Sequence, residues 1–460
     1  LQPFLPSEFQ IFPVLLKWLW QVEPKQGIEL KKVLIISYYW PPAGGGGVQR
    51  WLKMTKYLSE FGWQPIVYTP SNGEAPVIDN SLLKEVHPKL ETVKTPIWEP
   101  YSLYKLITGK KKNERVYSGF INDKKSGFTQ KLSVFIRGNF FIPDARRFWI
   151  KPSIKFLKKY LKENPVDAII STGPPHSMHM IGLGVHQATN IPWVADFRDP
   201  WTHIDFYDQL KLTKWGDQKH RKMEQLVLKH CNKLVTVTPS WAQDFQVLSG
   251  REDIEIISNG YDPADFVATS EKEFQSFSIC HVGSMNKDRN PHVLWKVLKA
   301  LVEKSPDLAS KLQIKLIGQV DHSILESIKE HQLERFLRHI SFQPHAEVID
   351  SLGQSYLLLL PVNDTPNSLG VVPGKLFEYM GSGRPIIGIG PLKGDSAHIV
   401  HETKSGNFVD YEDSDELTKI IQSHWETFQS GVDTPKSSSI ENYSRKNLAK
   451  RYAELLENLA

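Results

Sequence analysis

From Lys31 onward, short runs of β-branched and apolar residues alternate with longer stretches whose apolar positions recur every three or four residues. That alternation predicts strand–helix units feeding a parallel sheet covered on both faces. Residues 33–37, 65–69, 168–171, 193–197 and 234–238 read as the strands of a first series. Between the first two, 48–60 gathers Val48, Trp51, Leu52, Thr55 and Leu58 on one face and reads as a helix packed on the sheet. A second series begins after Asp262, with strands at 278–282, 314–317, 356–361 and 385–389. Helical patterns separate them near 291–303, 345–354, 375–380 and 415–428. The segment 92–140, irregular and rich in Lys and Gly, reads as an insertion on the first series rather than a core element.

The expected architecture is therefore α/β, with two Rossmann-like domains facing each other across a cleft. Its parts are an extension at 1–30, a first domain at 31–250, a second at 251–440, and a last helix at 441–460 with the reach to pack back on the first. At 460 residues, 40% of them apolar and 23% charged, the chain is too long for one ordinary core and has the balance of a globular protein. Its two cysteines, Cys231 and Cys280, fall in different domains, so neither a disulfide framework nor a zinc site is expected and a reducing cytoplasm fits. The longest apolar stretches, such as 356–362, are far short of the roughly 20 residues that span a bilayer. Residues 9–20 are aromatic and apolar but are interrupted by Pro13 and Lys17 and lack a basic n-region, which argues against a signal peptide. Because the chain begins at Leu1, its first thirty residues read as a fragment end or an extension outside the fold.

Charge adds an asymmetry. Residues 1–250 carry a net +13 and residues 251–460 a net −8. A basic half is expected where a protein meets anionic lipid or another polyanion, and an accidental surface bias produces the same numbers.

Candidate chemistry sits in the loops that follow strands. Gly44-Gly45-Gly46-Gly47 follows the first strand and opens the first helix, where backbone N–H groups and a helix N-terminus approach a phosphate or a sugar. The run lacks both the G-x-G-x-x-G spacing and a following Gly-Lys-Ser/Thr, which weakens dinucleotide and P-loop readings. A flexible loop has the same composition. Lys375 and Glu378 stand three apart at the start of a helix, on one side of its first turn, where a cation meets a diphosphate and a carboxylate accepts two ribose hydroxyls. A surface ion pair has the same spacing. Arg289, in the loop after the first strand of the second domain, is placed for phosphate. Arg198 and Asp199 follow strand 193–197; the cation suits a departing oxygen and the carboxylate suits an acceptor hydroxyl, while a structural pair at a strand end reads identically. His176 follows strand 168–171 at the same edge. Asp413-Ser414-Asp415, an Asp-x-Asp triplet, lies at a helix start and reads as a cap. No metal and no cofactor is therefore expected, Arg289 and Lys375 neutralising the leaving diphosphate instead.

Taken together these residues resemble the GT-B glycosyltransferases of family 4, similar to bacterial enzymes that build surface polysaccharides. The resemblance runs from Lys31 to about Leu459. It rests on Tyr39-Trp40-Pro41-Pro42-Ala43 with the four glycines, Ser258-Asn259-Gly260-Tyr261-Asp262, the loop 283–289, and Pro373-Gly374-Lys375-Leu376-Phe377-Glu378-Tyr379 ending in Gly383-Arg384-Pro385. It implies a retaining, metal-independent transfer of a hexosyl unit from a nucleoside-diphosphate sugar to a glycan or lipid-linked acceptor in surface polysaccharide synthesis. The donor would lie against Gly46, Gly47, Asn259, Arg289, Lys375 and Glu378, with His176, Arg198 and Asp199 as the catalytic wall. Glu378 matches the second acid of the family's paired-glutamate motif, but Gly370 stands where the first acid belongs. Ser284 and Arg289 stand where the family has an Arg and a Lys. The alternative that these departures raise is a non-catalytic nucleotide-sugar-binding or scaffold protein of the same fold. No nucleic acid is expected as a partner.

One segment extends the charge argument. Residues 146–162, RRFWIKPSIKFLKKYLK, interleave seven cations with aromatic and apolar residues, and past Pro152 the apolar Ile154, Leu157 and Leu161 recur at helical spacing. A core-packed helix with a solvated basic face fits this pattern. A lipid-linked acceptor tips the expectation to peripheral contact with an anionic membrane at the inner face of the cytoplasmic membrane.

Overall fold

The computed structural model describes residues 30–75, 77–99, 128–204, 207–266, 274–341, 343–431 and 438–459. The expected extension at 1–30 lies almost wholly outside them. Among the described residues the first sheet has seven strands: β1 (Lys31–Ile36), β2 (Trp63–Pro70), β3 (Glu91–Thr95), β4 (Ala168–Gly173), β5 (Trp193–Phe197), β6 (Lys233–Thr236) and β7 (Ile254–Ile256). They lie in the order β3-β2-β1-β4-β5-β6-β7. The second sheet has six: β8 (Phe277–Val282), β9 (Leu312–Ile317), β10 (Leu337–Ile340), β11 (Leu357–Pro361), β12 (Ile386–Ile389) and β13 (Gly406–Val409), in the order β10-β9-β8-β11-β12-β13. Every pairing between these strands is parallel. Both sheets are thus two Rossmann-like units. The chain winds outward from the middle strand, then crosses back, leaving a switch point between β1 and β4 and another between β8 and β11. In such sheets ligands bind outside the carboxyl ends of the strands at that point.

The central strands are continuous apolar runs because helices bury them on both faces; Val33, Leu34, Ile35 and Ile36 are wholly inaccessible. Edge strands β3, β7, β10 and β13 escape the sequence pattern because one side of each faces solvent. Their sequences, such as ETVKT and LRHI, are charged and half-exposed. The segment 92–140 needs correction accordingly. Its first residues complete β3, Phe128–Phe140 is a helix, and 100–127 lie outside the described residues.

The helix after β1, Gly46–Leu58, is buried on two sides. One side, with Val48, Trp51, Leu52 and Leu58, packs on the sheet. The other meets the last helix, Arg445–Glu457, whose Leu448, Ala449, Tyr452, Ala453 and Leu456 join the same apolar cluster. Full burial of Leu448 or Leu456 is worth about 2 kcal/mol each. The chain's end is therefore part of the first domain's core.

Where the chain crosses between domains, charge pins it. Arg50 donates to Asp196 through Nε and Nη2 (3.2 and 2.8 Å), and to the crossover carbonyls of Ile257 and Ser258 (2.8 and 2.7 Å). One turn on, Lys53 and Lys56 reach Asp262 at 3.4 and 2.9 Å, and Lys53 also reaches Asp265 at 2.8 Å. Tyr57 donates its hydroxyl to Asp262 at 2.5 Å.

The basic segment forms a helix at Arg147–Glu163, starting before Pro152 rather than after it. Trp149, Ser153, Leu157 and Leu161 face the core. Lys151, Lys155, Lys158, Lys159 and Lys162 face solvent, along with Phe148 and Phe156, 41% and 38% exposed. Among the described residues no helix is long and apolar enough to cross a membrane.

Candidate active site

The carboxyl ends of β8 and β11 bring Arg289, Lys375 and Glu378 together. Leaving β8, the chain turns at Gly283, whose φ of 96° suits glycine. A Cβ there would stand 3.1 Å from the ammonium of Lys375. Lys375 is the first residue of helix Lys375–Ser382 and donates to His281 Nε2 at 3.1 Å. His281, buried in β8, donates its own Nδ1–H to the Leu359 carbonyl at 3.0 Å, which leaves Nε2 as an acceptor. Burial, with the charge of Lys375 added, holds His281 well below its usual range, so it is neutral. Burial also pulls Lys375 well below the usual lysine range, and the neighbouring Arg289 pulls the same way. Arg289 donates Nε–H to Asn363 Oδ1 and Nη1–H to the Ser284 carbonyl at 3.3 Å. Two neighbouring cations, with Lys375 bonded to a neutral imidazole and Arg289 bonded to an amide and a backbone carbonyl, suit a multiply negative group.

Glu378, one turn along the same helix face, accepts from His345 Nε2 at 3.2 Å. His345 opens helix His345–Gly353. Burial lowers its pKa, but the hydrogen bond and charge of Glu378 and the charge of Asp265 outweigh this and raise it. Close by is Arg445, only 5% exposed, whose Nη1 has no hydrogen-bond partner among the described residues. Burial, with Arg50 pulling the same way, brings it down to about 9, against the charges of Glu378, Asp262 and Asp265.

The first domain presents a different surface. Arg198 spends its guanidinium on the backbone: Nη1 to Gly47 O (3.0 Å), Nε to Gly173 O (3.2 Å) and Nη2 to Pro174 O (2.5 Å). It ties the glycine loop to the loop after β4. A Cβ on Gly47 would fall 2.8 Å from Arg198 Nη1, so the fourth glycine of the run makes room for this tie. Gly46 begins the helix and faces open space. Asp199 follows at the strand end, half-buried. His176 is buried with its ring stacked on Trp201 at 4.7 Å. Burial, with His179 next, holds it neutral, and its Nδ1 lacks a hydrogen-bond partner among the described residues. Asn259 lies in the crossover, with Oδ1 3.5 Å from Arg50 Nη1. Asp413 accepts the Glu416 N–H at 3.0 Å and caps helix Ser414–Ser430. Among the described residues no group of three or more His, Cys, Asp or Glu is placed to hold a metal ion.

Two departures from the family pattern acquire a structural setting. A Cβ on Gly370 would fall 2.3 Å from Trp241 Nε1, so Trp241 fills the space an acid at 370 would need. Ser284 is exposed at the loop tip. Sequence reasoning missed His281, His345, Arg445 and the Arg50–Asp196 pair. A charged or imidazole side chain inside an apolar strand, as in WVADF and FSICHV, was the available signal for Asp196 and His281. Nothing local marks His345 or Arg445.

Comparison with known proteins bears on the family and the fold. Residues 121–265 match the family model described as Glycosyltransferase Family 4, and residues 266–458 match Glycosyl transferases group 1. A D-inositol 3-phosphate glycosyltransferase of Corynebacterium urealyticum is 23% identical over 268 residues, a match spanning 53% of this chain and 60% of that relative's length. Among solved structures, TarM of S. aureus, in complex with fondaparinux, α-GlcNAc-glycerol and UDP, superposes with a TM-score of 0.57 at 13% identity, over 93% of this chain and all of that one. WaaG, a glycosyltransferase involved in lipopolysaccharide biosynthesis, superposes with a TM-score of 0.55 at 14% identity, over 92% and 99% of the two chains. At such identities the structural likeness shows the fold alone. With its matches running unbroken from residue 121 to residue 458, the chain belongs to the family 4 glycosyltransferases of the GT-B fold.

Proposed function

We propose that this protein moves a hexosyl unit, with retention at the anomeric carbon, from a nucleoside-diphosphate sugar to a glycan or lipid-linked acceptor in surface polysaccharide synthesis. The observation that carries the proposal is the grouping of Arg289, Lys375 and Glu378 at the β8–β11 switch point. There the two cations face a diphosphate and the carboxylate faces ribose hydroxyls. The bond from anomeric carbon to phosphate oxygen breaks as the bond to the acceptor oxygen forms. Arg289 and Lys375 neutralise the charge that grows on the diphosphate, the role a divalent ion plays elsewhere. Asp199 takes the acceptor proton, with His176 and the Arg198-tied loops forming the wall opposite. The UDP in the TarM complex makes UDP-sugars the first donors to try.

A second reading keeps binding without transfer, and Trp241 at Gly370 favours it, because no carboxylate fits there while Trp241 stays in place. A panel of nucleotide-sugars incubated with and without lipid-linked acceptors separates the two. Transfer predicts a glycosylated acceptor of retained configuration together with released nucleotide. Binding alone predicts nucleotide-sugar affinity and no product with any acceptor.

The proposal places the enzyme in the cytoplasm, peripheral on the inner face of the membrane. Five exposed lysines beside Phe148 and Phe156 support this, each cation near an anionic surface contributing on the order of 1 kcal/mol. Co-sedimentation with anionic vesicles at low salt, lost at high salt and absent with neutral lipid, is the expected result. Equal binding to both lipid types removes the membrane from the proposal.

A further inference from the structure

We propose that His345 is a positioning residue for the nucleotide's ribose, acting through Glu378; this rests on the reading of Glu378 as the ribose acceptor. A free glutamate side chain samples several rotamers and loses that freedom on binding. Here His345 Nε2 holds Oε1 at 3.2 Å, with the two side chains 16% and 24% exposed. A carboxylate has about four lone-pair sites on its two oxygens, so one bond to His345 leaves room for two hydroxyls. The imidazole is thus a brace rather than a competitor.

The brace is anchored across the domain seam. His345 is faced by Glu378 on its donor side, by Asp265 in the turn Pro263–Phe266, and by Lys53 from the helix Gly46–Leu58. Lys53 holds Asp265 at 2.8 Å through Nζ. Arg445 adds a further cation within the field of Glu378. The turn itself is pressed against the donor helix: a Cβ on Gly381 would meet Phe266 at 2.6 Å and Tyr261 at 2.8 Å. A chain of charge therefore runs Lys53–Asp265–His345–Glu378, from the glycine-loop helix of the first domain to the ribose carboxylate of the second. It makes donor affinity depend on the protonation of His345, which faces two carboxylates and one ammonium.

Protonated His345 makes a charge-assisted bond that fixes Glu378, and loss of that proton at higher pH relaxes the brace. Burial lowers Lys375 as well, so affinity for a diphosphate falls on that account too with rising pH. The diagnostic quantity is accordingly the difference between wild type and H345Q, which keeps an N–H donor but carries no charge.

The test is calorimetric binding of UDP, with GDP and ADP as controls for the base, to wild type, H345A, H345Q, E378A and H345A/E378A at pH 6 and pH 9. H345A should bind about fivefold more weakly at pH 6, with kcat little changed where turnover is measurable. H345Q should restore part of the loss and show a shallower pH dependence than wild type. Because His345 acts through Glu378, the double variant should bind no more weakly than E378A alone. Wild-type affinity in folded H345A, or additive losses in the double variant, overturns the inference while leaving the ribose reading intact. An E378A variant that binds UDP as wild type does overturns the ribose reading and, with it, the role of His345.

Discussion

In the first domain, on β5 next to the switch-point strand β4, Asp196 receives five hydrogen bonds, from Arg50 twice, Trp51, Thr172 and Tyr452. At the second domain's switch point, Lys375 gives one hydrogen bond among the described residues, to a neutral imidazole. The two sheets share a strand order, so topology does not account for the contrast. A buried charge that is fully paired serves the fold, since removing a partner strands the other charge in low dielectric. A cation held by neutral groups is costly to the fold and is repaid when an anion arrives. The same architecture thus holds a structural centre in one half and, on the function proposed above, an anion site in the other.

Breaking the structural centre should give the largest effect. Asp196→Ala leaves Arg50 buried without its carboxylate and should destabilise the chain by about 3–5 kcal/mol, read as a fall in the urea midpoint. A loss under about 1 kcal/mol would show that the centre is not what holds the first domain and the crossover together.

Lys375→Ala sharpens the contrast from the other side. Without nucleotide it should leave stability within about 0.5 kcal/mol of wild type or raise it, because it removes a desolvated cation that no carboxylate among the described residues bonds. Its UDP affinity should nonetheless fall about tenfold or more. Marked destabilisation of the unliganded protein would place Lys375 with Asp196 as a structural charge.

Acid separates the halves by a smaller amount. Burial raises Asp262, but Lys53, Lys56 and the Tyr57 hydroxyl outweigh it and hold the carboxyl at about 2, against an ordinary 3.8. A depressed carboxyl contributes stability above its unfolded pKa and loses it as pH falls through the folded one. Asp262 therefore supplies about 2 kcal/mol that should vanish between about pH 4 and pH 2. Urea midpoints of wild type and Asp262→Asn should converge across that window. A gap that stays constant there would assign the stabilisation to packing.

The smallest expected effect is none. Transfer should persist in EDTA on the proposal that Arg289 and Lys375 neutralise the charge growing on the diphosphate. If EDTA abolishes activity and Mg²⁺ or Mn²⁺ restores it, the cation role given to those two residues must be abandoned.

The sequence by itself determined the central strands of both sheets, the helix after the glycine run and the helix bearing Lys375 and Glu378. Each is written locally, the strands as continuous apolar runs buried on both faces and the helices as apolar positions recurring every three or four residues. Edge strands such as ETVKT stayed hidden because an edge asks for no continuous apolar run. What only the tertiary structure decided is where the charges go. Arg50 meets Asp196 across 146 positions, Tyr452 meets Asp196 across 256, and His345 meets Glu378 across 33. Lys375 and Glu378 are legible because three residues make one helical turn. Arg198 is legible as a candidate, yet its engagement by Gly47, Gly173 and Pro174 is not, because those carbonyls converge only when β1, β4 and β5 align. Electrostatic pairing depends on distance through space, and distance along the chain carries that information only within a turn or two of helix.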